Sequence, residues 1–300
     1  MRFVTYELTG KNYVGVLDES QQEVLNLTVA SNDCDLGYSL PTTLLECLAL
    51  EDILPIVQKI GAWVYQQSDR SKYIHKVSEV KLKAPIPRPS KNILCVGKNY
   101  RDHVLEMGSE ADIPENIMIF TKAPTSVIGP DETIPLHEGL TSQLDYEGEL
   151  AIVIGKVGKA IPVEQALDYV FGYTILNDVT ARDLQAKHKQ FFLGKSLDGS
   201  CPIGPAIVHK SALGDMQKVT VTTRVNGELR QEASTALMIF PLAEIIATLS
   251  QGMTLEPGDI IATGTPSGVG KGFKPPRFLK KGDVIEISVE GLGVLRNTVG

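Results

Sequence analysis

Short apolar runs rich in β-branched residues, separated by turns, dominate the sequence beyond residue 90. Few helical patterns lie between them. Because strands that do not alternate regularly with helices do not form a doubly wound parallel sheet, we predict a mixed or antiparallel β architecture. The predicted strands are residues 92–96, 118–120, 148–154, 171–176, 219–225, 259–263 and 284–289. Short helices are predicted at 100–107, 163–169, 182–188 and 242–250.

A proline-rich segment, Ala84-Pro-Ile-Pro-Arg-Pro89, separates this region from a different N-terminal pattern. Residues 1–40 alternate apolar and polar side chains, which predicts a β-hairpin or meander. Residues 42–66 carry apolar side chains at helical spacing and predict one or two helices, which begin or kink at Pro55. We therefore predict an α+β protein with a small N-terminal α/β domain at 1–85 and a larger domain at 90–300.

The composition argues against several classes of function. The chain of 300 residues has a formal net charge of −7 and no block of Lys and Arg, so it lacks the charge pattern needed to bind nucleic acid. No apolar stretch is long enough for a membrane helix and no signal-peptide pattern is seen, so we expect a cytoplasmic protein that contacts no membrane. The isolated cysteines, which argue against a zinc site or a disulfide framework, are Cys34, Cys47, Cys95 and Cys201.

The strongest sign of chemistry is the motif Asp145-Tyr-Glu-Gly-Glu149, directly before an apolar run. On a strand, side chains two residues apart point to the same face, so Glu147 and Glu149 would lie side by side. They either face water, as most carboxylates do, or share a cation. Asp178, after another predicted strand, is either a turn residue or a third ligand. If the three converge, their all-oxygen donor set favours Mg²⁺ or Mn²⁺.

A second candidate pair lies on the helix predicted at 100–107. His103 and Glu106 are three residues apart and share one helix face, so the carboxylate would hold the imidazole tautomer and raise its basicity. That arrangement suits a general base that activates water. The alternative is a surface ion pair on an amphipathic helix.

The glycine-rich segment from Thr263 to Gly272 is not a P-loop, because Lys271 is followed by Gly272 rather than by Ser or Thr. We interpret it as a tight turn that presents amide groups and the Thr265 hydroxyl to an anion. The sequence contains no Gly-x-Ser-x-Gly motif, so a serine hydrolase of that class is unsupported.

Together these motifs closely resemble the fumarylacetoacetate hydrolase family over about residues 90–300. In chain order, the matching segments are Gly97-Lys-Asn-Tyr100 with His103 and Glu106, Phe120-Thr-Lys122, Asp145-Tyr-Glu-Gly-Glu149, Asn177-Asp-Val-Thr-Ala-Arg-Asp183, Gly194-Lys-Ser196 and Thr263-Gly-Thr-Pro-Ser-Gly-Val-Gly270. Within the family, the whole chain is most similar to bacterial oxaloacetate decarboxylases.

The resemblance implies a catalytic domain folded as a mixed β-sandwich roll, a homodimer, and bound Mg²⁺ or Mn²⁺. It assigns Glu147, Glu149 and Asp178 as metal ligands. It also implies catalytic roles for His103, Glu106 and Lys195, and substrate-binding roles for Lys98, Lys122, Gln185 and Thr265. Two departures limit the match. Lys98 stands where several relatives have Arg, which removes a bidentate carboxylate fork, and the sequence gives no position for the fourth metal carboxylate of fumarylacetoacetate hydrolases proper.

The function that the resemblance implies is metal-dependent cleavage of a C–C bond in a small 2-oxo acid, above all decarboxylation of oxaloacetate to pyruvate and CO₂. The metal would act as the electron sink for the enolate. One alternative is hydrolysis of an acylpyruvate or fumarylpyruvate-type diketoacid, in which His103 and Glu106 would activate water. Another, from a different class, is a non-catalytic metal-binding regulatory protein that acts through a partner.

Overall fold

The structure, a computed structural model, describes residues 1–37 and 39–300. Within those residues the chain forms nineteen strands and seven α-helices, joined by turns and short 3-10 helices. The strands are β1 (Arg2–Leu8), β2 (Lys11–Leu17), β3 (Glu23–Asn26), β4 (Ile74–Lys76), β5 (Lys81–Leu82), β6 (Ile93–Gly97), β7 (Met118–Lys122), β8 (Val127–Ile128), β9 (Thr133–Ile134), β10 (Leu144–Asp145), β11 (Gly148–Ile154), β12 (Val170–Asn177), β13 (Thr180–Ala181), β14 (Cys201–His209), β15 (Thr220–Val225), β16 (Glu228–Ser234), β17 (Ile260–Ala262), β18 (Val284–Val289) and β19 (Gly293–Val299). The helices are α1 (Leu27–Asp33), α2 (Leu44–Leu48), α3 (Ile53–Tyr65), α4 (Arg101–Met107), α5 (Arg182–His188), α6 (Phe192–Lys195) and α7 (Leu242–Ser250).

One long mixed sheet forms the centre of the molecule. Its order is β4-β3-β2-β1-β14-β12-β11-β17-β6-β7, with β5 beside β1 and β8 beside β14. Neighbours along this order pair antiparallel except β17 and β6, which are parallel. The mixed α+β architecture predicted from the strand-like runs is confirmed. The division at 1–85 and 90–300 stays a prediction, and the N-terminal strands extend the same sheet where Arg2 lies opposite Val208.

The two faces of this sheet pack against different partners. Leu150 and Ile152 of β11 belong to a core shared with the smaller sheet, β16-β15-β18-β19-β9, and with α7. The alternate residues Ala151 and Val153 belong to a second core, which α1, α2 and α3 cover. Every residue of β11 is therefore buried, which explains its continuous apolar run. Acidic residues at the start of this strand lie in the protein interior rather than at the surface.

The N-terminal helices largely follow the sequence pattern. The helices predicted within 42–66 are α2 and α3, and Pro55 lies in the first turn of α3, where the missing N–H has no intrahelical partner to lose. Across the residues that the structure describes, no helix is both long and apolar enough to span a bilayer.

Several elements differ from the sequence prediction, and strands β16 and β19 and helix α6 are among those it did not include. Residues 27–33 were expected within the meander but form α1, because the Asn26 side chain caps this helix by accepting a backbone N–H at 2.9 Å. The helix predicted at 163–169 is a 3-10 helix. Strand β14 is absent from the prediction because Pro202 and Pro205 are residues typical of turns.

Candidate active site

Three carboxylates converge where β11 begins and β12 ends. Glu147 and Glu149 lie on either side of Gly148, and Asp178 follows the last residue of β12. The antiparallel register pairs Gly148 with Asn177, and Asp178 donates its backbone N–H to the Glu147 carbonyl oxygen at 2.8 Å. One carboxylate oxygen from each of the three acids lies within 4.8 Å of the others, and all three side chains are buried. The sheet therefore gathers the acids singled out in the sequence into one cluster.

Glu149 differs from the other two acids because no basic side chain forms an ion pair with its carboxylate among the described residues. Its carboxylate accepts the backbone N–H of Gly264 at 2.7 Å. Among the described residues, no Lys, Arg or His nitrogen lies within 4.0 Å of its oxygens, in contrast to the ion pairs of its neighbours. Burial and the negative charges of Asp178 and Glu147 raise the pKa of the Glu149 carboxyl well above its usual range. The cluster thus contains a buried carboxylate without a cationic partner.

Basic side chains neutralise the other two acids. The Lys195 ammonium lies 2.6 Å from Glu147 and 2.7 Å from Asp178, and the Lys122 ammonium lies 2.7 Å from the second oxygen of Asp178. Burial disfavours the charge on Glu147, but Lys195 and Arg182 outweigh it and lower the pKa of that carboxyl to about 2. Burial also disfavours the charge on Lys195, yet Asp178 and Glu147 raise its pKa. Opposite charges therefore favour the ionised forms of Glu147 and Lys195 in the interior.

Arg182 is a candidate functional residue that the sequence reasoning missed. Its Nη1 lies 2.7 Å from Glu147 and its Nε lies 2.9 Å from Asp145. Burial disfavours its charge, but Glu147 and Asp145 raise its pKa. Asp145 also accepts the backbone N–H groups of Gly270 and Lys271 at 2.7 and 3.0 Å. The signal in the sequence was the position of both residues inside matching motifs, which did not show that they pair.

The His103–Glu106 pair lies on α4, which follows β6. His103 Nδ1 lies 2.9 Å from a Glu106 oxygen. The two side chains are only 10% and 19% exposed, so this is not the exposed ion pair of the alternative interpretation. The Glu106 carboxylate also accepts the backbone N–H of Gly268 at 2.9 and 3.0 Å to its two oxygens. The glycine-rich loop therefore contacts the acid that orients the imidazole.

Asn99, a buried residue that the sequence reasoning did not assign, joins α4 to that loop. Its side-chain amide donates to the carbonyl oxygens of Thr263 at 2.8 Å and Phe240 at 3.2 Å, and its Oδ1 accepts the Phe240 N–H at 2.8 Å. Gly264 has a φ of 100°, and a Cβ there would lie 2.7 Å from the Asn99 Cβ. Only glycine is tolerated at position 264, because the loop passes so close to Asn99. The loop is therefore held near the start of α4.

Thr265 differs in detail from the expected anion contact. Its hydroxyl donates to the Gly148 carbonyl oxygen at 3.0 Å and accepts the Gln231 side-chain N–H at 2.7 Å. The hydroxyl proton is therefore directed at the strand β11 backbone, because Gln231 and Gly148 hold the side chain in that rotation. Toward a substrate, this hydroxyl presents an acceptor rather than the expected donor.

A cavity of about 320 Å³ opens beside these groups. Of the predicted site residues, it is lined by Lys98, His103, Glu147, Glu149, Gln185, Lys195 and Thr265. Lys122 does not line it. The Lys122 side chain is fully buried behind Asp178 and also donates to the Val179 carbonyl oxygen at 3.0 Å, because it is the inward-facing last residue of β7. The structure thus places the Lys122 ammonium against Asp178, and the substrate contact implied by the family resemblance stays a prediction.

The donor set fits a hard divalent cation. The three acids are buried within ligand distance of one another, the cluster contains no His or Cys, and Glu149 lacks a counter-charge. Carboxylate oxygens are the ligands that Mg²⁺ and Mn²⁺ prefer. Glu147, Glu149 and Asp178 are therefore the residues that would hold such an ion.

This fold and this site define a class of protein. Residues 92–300 match the family model described as fumarylacetoacetate (FAA) hydrolase C-terminal, and the chain belongs to this family. The resemblance seen in the sequence motifs is confirmed.

Three individual proteins are similar to this chain over nearly their whole length. Over its full length the chain is 54% identical to the full length of a Bacillus subtilis (strain 168) protein named oxaloacetate tautomerase YisK. Among solved structures it is similar to a fumarylacetoacetate hydrolase from Exiguobacterium antarcticum, with 45% identity, a TM-score of 0.82, and coverage of 100% of this chain and 99% of that one. It is also similar to maleylpyruvate hydrolase from Sphingobium sp. SYK-6 in complex with manganese(II) and pyruvate, with 28% identity, a TM-score of 0.78, and coverage of 100% and 98%.

Proposed function

We propose that the chain is a divalent-metal-dependent enzyme that interconverts the enol and keto forms of oxaloacetate, or of a 2-oxo acid of the same build. The observation that carries this proposal is the presence, in one cavity, of a buried acidic cluster with an unpaired carboxylate and of an imidazole held by a second acid. The first arrangement suits a cation and the second suits proton transfer. Identity of 54% with a protein named oxaloacetate tautomerase supports the choice of substrate.

The reaction moves one proton between C3 and the oxygen on C2. Starting from the enol, C3 gains a proton, the C2 hydroxyl loses one, and the double bond shifts from C2–C3 to C2–O. A divalent cation held by Glu147, Glu149 and Asp178 would supply a Lewis acid for that oxygen. His103, whose Nδ1 is held by Glu106, uses its other ring nitrogen to carry the proton exchanged at C3.

Fixed positive charge in the cavity assists the same step. As the enolate forms, negative charge develops on the C2 oxygen and its neighbouring carboxylate. Lys195 and Arg182 line the cavity and are held by buried acids, so their charges are already oriented and need no reorganisation. Lys98 and Gln185 also line the cavity, and in this proposal they bind and orient the carboxylates of the substrate.

Decarboxylation of oxaloacetate is the second candidate. This reaction breaks the C3–C4 bond, releases C4 as CO₂ and leaves the electron pair in the enolate of pyruvate. Its C2 oxygen carries negative charge as that of the oxaloacetate enolate does, so Lys195 and Arg182 would stabilise either enolate. It needs no base to start. We rank tautomerisation first because His103, which is held by Glu106, lines the cavity, and proton exchange uses this imidazole whereas loss of CO₂ does not.

The test follows two products from one substrate. Enol oxaloacetate is mixed with the protein in Mg²⁺ or Mn²⁺, and loss of enol absorbance and release of pyruvate are recorded in parallel. We expect catalysed loss of the enol, its abolition by a chelator or by Glu147→Ala, and no effect of Glu290→Ala, which alters an exposed acid. Catalysis in metal-free buffer would contradict the proposal.

The remaining alternatives give distinct outcomes in the same assay. Pyruvate release from acetylpyruvate or fumarylpyruvate, without enol loss from oxaloacetate, would instead establish a diketoacid hydrolase. No turnover of any of these compounds would favour the non-catalytic regulatory protein. The homodimer implied by the family resemblance stays a prediction, which sedimentation velocity of the purified chain tests.

A further inference from the structure

We propose that Phe273, whose ring contacts the guanidinium groups of Arg230 and Arg277, is a positioning residue that holds the glycine-rich loop against Glu106 and thereby sets the orientation of His103. The proposal deepens the proposed function, because it rests on His103 as the proton carrier. It adds a set of residues outside the cavity to those on which the chemistry depends.

The loop contacts Glu106 at two points. Gly268 donates its backbone N–H to both carboxylate oxygens, at 3.0 and 2.9 Å. Gly272 lies directly behind the same group, since a Cβ on Gly272 would stand 2.5 Å from Glu106 Oε2. Because His103 Nδ1 bonds to this carboxylate at 2.9 Å, a shift of the loop would shift or release the group that orients the imidazole.

A cluster of Phe273, Arg230 and Arg277 lies at the end of the loop that follows Gly272. The Phe273 ring follows Gly272 directly, and its centroid lies 5.1 Å from the Arg230 guanidinium carbon and 4.6 Å from that of Arg277. Glu228 ties the two arginines together, accepting from Arg230 Nη2 at 3.0 Å and from Arg277 Nη1 at 2.9 Å. A cation over an aromatic face within about 6 Å is attracted to it, most strongly when water is excluded. The Arg230 and Arg277 guanidinium groups therefore both restrain the position of the Phe273 ring.

The two arginines differ in how strongly they attract the Phe273 ring. The Arg230 side chain is 11% exposed, whereas that of Arg277 is 50% exposed, so the Arg230 contact is the less screened by water. At the other end of the loop, the Tyr146 hydroxyl donates to the Gly268 carbonyl oxygen at 2.8 Å. The segment that contacts Glu106 is therefore anchored at Gly268 by Tyr146 and at Phe273 by the arginine pair.

The experiment distinguishes two possible contributions of the Phe273 side chain, the attraction of its ring face for the arginines and the packing of its apolar volume. Phe273→Leu keeps most of the apolar volume but removes the face, and Phe273→Tyr keeps the face. We expect Phe273→Leu to lower kcat for enol loss about tenfold while KM stays within about twofold, and Phe273→Tyr to retain kcat. Arg230→Met provides a second variant, expected to behave as Phe273→Leu does. The matched control is Tyr65→Leu, which removes an exposed ring under Arg70, at 5.5 Å, on the N-terminal helix α3.

A second readout does not depend on turnover. Amide hydrogen exchange in the full-length protein should be faster at Gly268 and along α4 in Phe273→Leu and Arg230→Met, and unchanged in Tyr65→Leu. Exchange and kcat equal to wild type in both variants would overturn the proposal, as would a loss confined to KM. If the wild type shows no turnover, the proposed function fails. Faster or unchanged exchange in the variants still decides whether Phe273 and Arg230 hold the loop.

Discussion

The backbone N–H of Asp178 donates to the carbonyl oxygen of Glu147 at 2.8 Å, which brings the acid after β12 beside the pair at the start of β11. The contact belongs to the antiparallel register of the two strands, so the position of the acids is set by the sheet rather than by a mobile loop. Burial of three carboxylates is costly unless positive charge accompanies them. Lys122, Lys195 and Arg182 supply that charge for two of the acids and leave Glu149 without it.

Replacement of Glu149 by Gln should make the metal-free protein more stable. Burial and the neighbouring acids disfavour the ionised form of Glu149, which has no basic partner, and the neutral Gln amide removes that cost while it keeps an oxygen for the Gly264 N–H. We expect the free energy of unfolding in a chelator to rise by about 2 kcal/mol, and the added stability from Mg²⁺ or Mn²⁺ to disappear. Urea unfolding with and without metal measures both. A Glu149→Gln protein that is less stable without metal, or that metal still stabilises as in wild type, would show that Glu149 is not the uncompensated ligand; Glu290→Gln serves as control.

Removal of the imidazole should separate the two candidate reactions. We expect His103→Ala to slow enol loss by about 10²–10⁴-fold, the usual contribution of a general acid–base group, and to slow pyruvate release much less. The reason is that decarboxylation needs no proton carrier to break its bond. Parallel assays on oxaloacetate measure both rates, with His75→Ala, on strand β4, as the control. Equal losses in the two rates would remove His103 from the proton transfer.

Lys122→Met should weaken metal binding rather than substrate binding. The Lys122 ammonium contacts Asp178 and the Val179 carbonyl oxygen and does not line the cavity. Groups that orient a metal ligand typically change metal affinity about 10–100-fold when they are removed. Calorimetric titration with Mn²⁺ measures the affinity, and Lys218→Met, at an exposed position, is the control. A raised KM for oxaloacetate with unchanged Mn²⁺ affinity would instead support the substrate anchor expected from the sequence.

His209 should make the protein less stable in mild acid. Its ring packs edge-on against Phe171 at 4.9 Å, and burial together with the positive charges of the N-terminus and Lys210 lowers its pKa. As the pH falls below about 6.5, the unfolded chain takes up a proton that the folded chain resists, so stability is lost. Urea unfolding of His209→Gln at about pH 7.5 and 5.5 should show a smaller loss than wild type. The control is His188→Gln, which alters an exposed histidine and should lose as much unfolding free energy between the two pH values as wild type. An equally large loss in His209→Gln would exclude this contribution of His209.

Patterns that repeat along the chain were predictable from sequence. Strands with β-branched runs, such as β11 and β18, and the hairpin of β1 and β2 follow from local alternation and apolar content. The position of Glu147 beside Glu149 follows from the period of a strand. Strand β14 was not predictable in this way, because its prolines are tolerated only through the particular pairing that its neighbours provide.

The partners of buried charges could not be predicted. Arg182 bonds to Asp145 and Glu147 across elements that meet only in the folded sheet, and local sequence carries no signal for that meeting. The family resemblance implied a substrate-binding role for Lys122, and the sequence did not show that its side chain turns inward to contact Asp178. The partners of Arg182 and Lys122 depend on which face of a strand or helix is turned toward the protein interior. The spacing of residues along the sequence does not determine this.

The measurement that tests the central claim most directly is anomalous diffraction from crystals of the wild-type protein soaked in Mn²⁺. We predict a single strong peak among the carboxylates of Glu147, Glu149 and Asp178, and its absence in Glu149→Gln crystals soaked in the same way. A wild-type map without density at this cluster, while the fold is intact, would contradict the account.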